Sequence, residues 1–214
     1  MTTKTNHRVY DCWKRTLDIA VAAVVLVVLS PVGAVVAVLI AMKLGRPVLF
    51  NPDRPGINGR LFRVHKFRTM LGVDHERDQV TDEQRLTAFG RALRSTSLDE
   101  LPTLVNVLKG EMSIVGPRPL LVRYLDRYTP EQARRHEVRP GITGLAQSSG
   151  RNSLTWEAKF ALDLSYVEER SLGLDLKILA RTILTVIKRD GISAVGHATV
   201  PEFMGNGSTK AVVL

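Results

Sequence analysis

The sequence predicts an α+β chain, mostly helical: a re-entrant membrane helix-break-helix within residues 1–45, a small cytoplasmic α/β domain with interfacial amphipathic helices over 46–205, and a tail at 206–214. Three observations predict it. Residues 19–42 form a run of 24 without a charge, long enough for a membrane helix. Ser30-Pro31 stands at its centre. Beyond it, short β-type runs, turn clusters and helical patterns alternate.

The membrane element comes first. As helix, the apolar run covers ~36 Å, enough for a ~30 Å hydrocarbon core. Pro31 cannot donate to the carbonyl of Val27, so a bend is expected there, and the Ser30 hydroxyl is placed to satisfy that carbonyl. Each half of the run is then about half a bilayer long. Lys4, Arg8, Lys14 and Arg15 precede the run, while Lys43, Arg46 and Arg54 follow it. Positive charge on both flanks asks for both ends in the cytoplasm, which re-entry satisfies and spanning does not.

In the soluble part, residues 47–50 and 61–67 read as short strands around a turn-rich stretch that includes Asn58-Gly59. Residues 74–84 read as an exposed polar loop, and 85–94 as a helix. Thr129-Pro130-Glu131-Gln132 is a helix start with a capping box and proline in the first turn. Arg139-Pro140-Gly141-Ile142-Thr143-Gly144 cannot be regular helix. Helices are expected over 156–169 and 172–189. In the latter, Leu172, Leu176, Leu179, Ile183 and Val186 form a stripe that suits either a protein core or a membrane interface.

Arg94-Ser95-Thr96-Ser97-Leu98-Asp99-Glu100-Leu101-Pro102 holds adjacent carboxylates ahead of an apolar segment. Ser97 with Glu100 fits a capping pattern, and Asp99 fits a cap in another register. Either register puts both carboxylates at the positive end of a helix, favouring their ionised forms. An ionised aspartate is also a nucleophile towards phosphorus, and paired carboxylates can hold Mg²⁺. Lys66, Arg68, Arg94, Arg118 beside Pro119, and Arg139 each place a cation on a stiff or turn-rich backbone suited to phosphate. With 30 Lys and Arg against 21 Asp and Glu, the net charge is +9, which points to anionic partners. The low aromatic share argues against a stacking platform for single-stranded nucleic acid, and no nucleic-acid partner is expected. A single cysteine, Cys12, excludes an internal disulfide framework.

Lys14-Arg15-x-x-Asp18, Ser30-Pro31, Lys66-Phe67-Arg68-Thr69-Met70, Ser97 to Pro102, Asn106-Val107-Leu108-Lys109-Gly110, Gly116-Pro117-Arg118-Pro119-Leu120 and the Arg139 segment together resemble the bacterial sugar transferase family. These are small monotopic polyprenyl-phosphate phosphoglycosyl transferases. Gly150-Arg151-Asn152 and Gly196-His197-Ala198-Thr199 resemble the branch acting on diacetylbacillosamine phosphate. The resemblance implies transfer of a sugar 1-phosphate from a UDP-sugar, such as a UDP-N-acetylated amino sugar, to undecaprenyl phosphate at the cytoplasmic face of the inner membrane. UMP is the other product. Asp99 is implied as the nucleophile, Glu100 as a partner in Mg²⁺ binding or proton transfer, and Lys66, Arg118, Pro119 and Asp163 as neighbours of the nucleotide-sugar. The competing readings are a basic membrane-tethered binding module and direct transfer with Asp99 as a metal ligand only.

Overall fold

The computed structural model describes residues 7–74, 80–150, 154–188 and 202–205. Helix α1 runs Arg8–Lys43. At 36 residues it is ~54 Å long, and it is the one helix among the described residues long and apolar enough to cross a membrane. The expected helix-break-helix is a single helix with Pro31 inside it. The serine explains the continuity: Ser30 Oγ donates to the Val27 carbonyl at 2.8 Å, replacing the bond that Pro31 cannot make.

Helix α1 also keeps one face from end to end. Asp18, Ala22, Val36 and Ile40 are buried, and at 3.6 residues per turn they share one side. Trp13, Leu17, Val21, Val28, Val35 and Met42 are exposed on the other. The buried side enters two cores. Ala22 packs with Val64, Leu104, Val107 and Met112, while Val36 and Ile40 pack with Leu44, Phe67 and Leu93. The apolar helix therefore runs along the domain rather than away from it.

Strand β1 (Leu49–Phe50) pairs antiparallel with β4 (Lys66–Phe67), and β2 (Asp53–Pro55) with β3 (Leu61–Arg63). The run over 61–67 is thus two strands, and the turn-rich stretch before it contributes one of its own. Asn58 takes the left-handed conformation, φ 54°, that its short polar side chain tolerates. The helix expected over 85–94 is two, α2 (Asp82–Arg85) and α3 (Ala88–Ser95), because Thr81 and Thr87 each cap a new start. Next come α4 (Thr103–Lys109), β5 (Ser113–Val115) and α5 (Pro130–Ala133), the last with the expected Thr129–Gln132 capping box. Strand β6 (Gly141–Thr143) lies parallel to β5 and leads into α6 (Leu145–Ser149). Helices α7 (Trp156–Glu169) and α8 (Leu172–Lys188) agree with the sequence reading to within one residue.

Two features of this frame position the site. A Cβ on Gly141 would lie 2.1 Å from the Gly116 nitrogen, so the Gly116 and Arg139 segments form one junction that only glycine allows. Buried and half-buried polar bonds also tie α1 to the domain. Ser113 Oγ donates to Asp18 at 2.7 Å, and Lys14 joins Asp175 of α8 at 2.6 Å. On α8, Ile178 is buried while Leu172, Leu176, Ile183 and Leu184 are exposed, so one face of the helix joins the core and the other leaves apolar side chains uncovered. Residues 75–79 of the polar loop, Arg151-Asn152, the Gly196 segment and the tail lie outside the described residues, as do the side chains of 186–188.

Candidate active site

A 3-10 turn, Leu98–Glu100, links α3 to α4. Ser97 enters it in the left-handed conformation, φ 56°, and its hydroxyl caps nothing. Pro102, not Ser97 or Asp99, is the N-cap of α4. Both expected capping registers are overturned, because α4 starts three residues later than an Asp99 cap requires and five later than a Ser97 cap requires. The two carboxylates are left available for something else.

They open onto a cavity of about 740 Å³. Of the residues singled out in the sequence, Lys66, Arg94, Asp99, Glu100, Arg118, Pro119 and Asp163 all line it. Arg68 and Arg139 do not. Arg68 donates to the carbonyls of Met70 (2.8 Å) and Arg46 (3.0 Å). Arg139 donates to Gly110 O at 2.8 Å. Arg15 meanwhile holds Val107 O at 2.6 Å and Leu108 O at 3.0 Å. Arg15 and Arg139 thus satisfy the last carbonyls of α4, where the helix dipole favours cations. They steady the helix that follows the acidic turn. Ser30 and Pro31 lie outside the cavity, to which α1 contributes Val25.

The adjacent carboxylates are held in opposite electrostatic states. Among the described residues, Asp99 accepts no hydrogen bond and forms no ion pair. Burial, then the neighbouring Glu100 charge, pushes its pKa up to about 6, against the pull of Lys66, Arg118 and Arg94. The expected lowering by a helix dipole is therefore reversed. Burial acts on Glu100 in the same sense, but Lys66 at 2.5 Å and Arg118 at 3.4 Å outweigh it. They hold its carboxyl below the usual glutamate range. Arg94 is steadied by a bond from Nε to Thr69 Oγ1 at 3.0 Å.

Six cationic side chains line the cavity against three carboxylates, which suits a ligand carrying negative charge. Three of the six escaped the sequence reading: Arg54, Arg135 and Lys159. Arg135 is the most consequential. It donates to Asp163 Oδ2 through Nε at 3.0 Å and Nη2 at 2.7 Å, and Nη2 also donates to the Arg118 carbonyl at 2.7 Å. Asp163 accordingly acts through Arg135 on the Arg118 loop. In the sequence Arg134 and Arg135 look alike, yet Arg134 is on the surface with Glu137 and Glu168. The available signal was spacing. Three residues after Gln132, which the Thr129 capping box fixes, Arg135 shares its buried face.

The family model described as "Bacterial sugar transferase" matches residues 9–189. The chain belongs to the bacterial sugar transferase family. Its relatives include the "Uncharacterized sugar transferase EpsL" of Bacillus subtilis, 47% identical over 199 residues, covering 92% of this chain and 98% of that one. The UDP-glucose:undecaprenyl-phosphate glucose-1-phosphate transferase of Caulobacter vibrioides is 40% identical, over 84% of this chain and 72% of the relative. The undecaprenyl-phosphate galactose phosphotransferase of Salmonella typhimurium is 37% identical, with 83% of this chain matched to 41% of a longer protein. This sugar transferase is thus a sugar phosphotransferase whose Asp99–Glu100 turn opens onto a cationic cavity.

Proposed function

We propose that this sugar transferase moves a sugar 1-phosphate from a UDP-sugar to undecaprenyl phosphate through a phosphosugar ester on Asp99. The carrying observation is the state of Asp99: unpartnered, desolvated and facing cations, which is what an attacking carboxylate needs. A carboxylate oxygen bonds to the sugar-bearing phosphorus. The bond from that phosphorus to the bridging oxygen breaks, and UMP leaves with the electron pair. An oxygen of undecaprenyl phosphate then attacks the same phosphorus and displaces Asp99, giving undecaprenyl-diphosphate-sugar. Lys66, Arg94 and Arg118 spread the charge on the phosphoryl oxygens during both steps.

Glu100 stays ionised in the grip of Lys66 and Arg118, which makes it a poor proton donor and an adequate metal ligand. Mg²⁺ commonly takes one or two protein carboxylates and completes its shell with phosphate and water. Among the described residues no three metal-ligating side chains converge, and the Asp99–Glu100 pair meets that smaller requirement. When bound there, Mg²⁺ would neutralise charge on the diphosphate.

The donor sugar expected from the resemblance is an N-acetylated amino sugar, as in UDP-diacetylbacillosamine, whereas the names of the relatives carry glucose and galactose. A UMP-release screen over both groups of UDP-sugars decides between them. Incubation with the active UDP-sugar alone, without lipid, should add the mass of one phosphosugar to Asp99. The yield at short times should rise with pH through about 6 as the carboxyl ionises. Turnover with no adduct on Asp99 would mean direct transfer instead.

We further propose monotopic, re-entrant anchoring on the cytoplasmic face of the inner membrane. Support comes from the packing of both halves of α1 on one domain and from the cations at both flanks. With Cys12 replaced by serine, Arg8→Cys and Lys43→Cys should react alike with an impermeant maleimide in inverted vesicles. Reaction of one end only would mean a spanning helix.

A further inference from the structure

Residues 202–205 return to the body of the domain and dock behind one wall of the cavity. Phe203 is only 3% exposed. Its ring lies 5.0 Å from Phe160, 5.6 Å from each of Tyr124 and Trp156, and 6.0 Å from Tyr128. Its backbone N–H donates to the Tyr124 hydroxyl at 3.1 Å, and its carbonyl accepts from Arg127. Glu202 receives Arg123 and Arg127, each at 2.7 Å. Exposed ion pairs alone are worth little. Here they accompany a buried ring with hydrogen bonds on both sides of its residue, which fixes the segment in place.

Tyr124 and Trp156 belong to the lining of the cavity that holds Asp99, and Phe203 does not. Lys159 stands 4.7 Å over the Trp156 ring on the same wall. Phe203 therefore stays out of the cavity and packs behind two side chains that line it. The wall differs from the opposite side of the cavity in how much apolar surface its elements expose. The 3-10 helix Val122–Arg127 and α7 contribute no large exposed apolar side chain, whereas α1 and α8 expose many. Those two helices reach the cavity through Val25, Thr182 and Thr185, the side from which a lipid phosphate would come.

We propose that Phe203, held by Glu202, is a positioning residue for the donor half of the reaction. It fixes the Tyr124–Trp156 wall against which the nucleotide-sugar docks, and leaves the acceptor half untouched. This rests on the UDP-sugar reading above. Small misplacements of a docking surface are felt as lost affinity and rate.

The test uses the full chain in detergent or nanodiscs, with UMP as the binding probe and the active UDP-sugar for turnover. Phe203→Ala should raise the UMP Kd and the donor KM about tenfold, with the undecaprenyl-phosphate KM within about twofold of wild type. Phe203→Tyr should restore the donor values. Glu202→Ala, which leaves the aromatic cluster filled, should shift them by roughly threefold in the same direction. Unchanged UMP binding in Glu202→Ala, or donor and acceptor KM rising in parallel with a lowered Tm, would overturn the proposal. Failure of the wild type to bind UMP would instead remove the UDP-sugar reading, and this inference with it.

Discussion

Asp99→Asn is expected to abolish UMP release, by ~10⁴-fold or more, and to stabilise the fold at the same time. The second effect follows from the carboxyl's pKa of about 6, against an ordinary 3.8. Between those values the folded state keeps the proton that the unfolded chain releases. Above about pH 6 both are ionised, and the folded state carries a charge its surroundings disfavour. Near pH 7.5 the whole cost is present. At about 1.4 kcal/mol per unit the shift corresponds to ~3 kcal/mol, and solvent at the cavity mouth reduces this to ~1–2 kcal/mol. The neutral amide removes it. Thermal unfolding in detergent should show a higher Tm for the variant at pH 7.5, and a smaller gain at pH 5, where the wild-type carboxyl is largely protonated. A variant that keeps normal turnover would end the nucleophile assignment. A variant no more stable at pH 7.5 would mean that the desolvation of Asp99 is not a strain on the fold.

Asp163→Ala should be the most damaging single change to stability. The Arg135 and Asp163 side chains are 2% and 5% exposed, so removing the carboxylate strands a guanidinium away from water. Breaking such a pair typically costs ~3–5 kcal/mol. Replacing both partners with apolar residues should cost less than the single change, because no charge is then left buried. Activity should fall as well, since Arg135 Nη2 also holds the Arg118 carbonyl. Urea unfolding of the single and double variants measures the first effect, and the donor KM the second. A loss below ~1 kcal/mol in Asp163→Ala would show that water or a rearranged partner replaces the carboxylate.

Much of the lining of the candidate site was legible in the sequence, for local reasons. Asp99 and Glu100 are adjacent, and Lys66, Arg94, Arg118 and Pro119 sit in segments whose stiff or turn-rich backbones advertise a fixed cation. Their convergence on one cavity was not a local property. It depends on β4 lying beside the acidic turn and on the Gly116–Gly141 junction, which brings together segments some 25 residues apart. The same gap explains the misplacements. Arg68 and Arg139 share the local marks of phosphate-binding arginines, but carbonyls at Arg46, Met70 and Gly110 claim them. Arg54, Arg135 and Lys159 lacked those marks, and tertiary packing alone puts them at the cavity. The capping pattern at Ser97 failed because Pro102 starts α4 later. At Pro31 the helical hydrogen bonding continues because Ser30 repairs locally what the proline removes.

The shared packing of α1 has a mechanical consequence. The helix that touches lipid on the proposed anchoring also supplies Ala22, Val36 and Ile40 to two hydrophobic cores and Val25 to the cavity wall. Buoyancy and catalysis then have a common keel. On that anchoring, bilayer thickness, surface charge or lateral pressure acting on α1 would reach the Asp99 turn through the side chains packed between them. On the proposed anchoring, the surrounding lipid would be a part of the candidate site's framework as well as the solvent of the proposed acceptor.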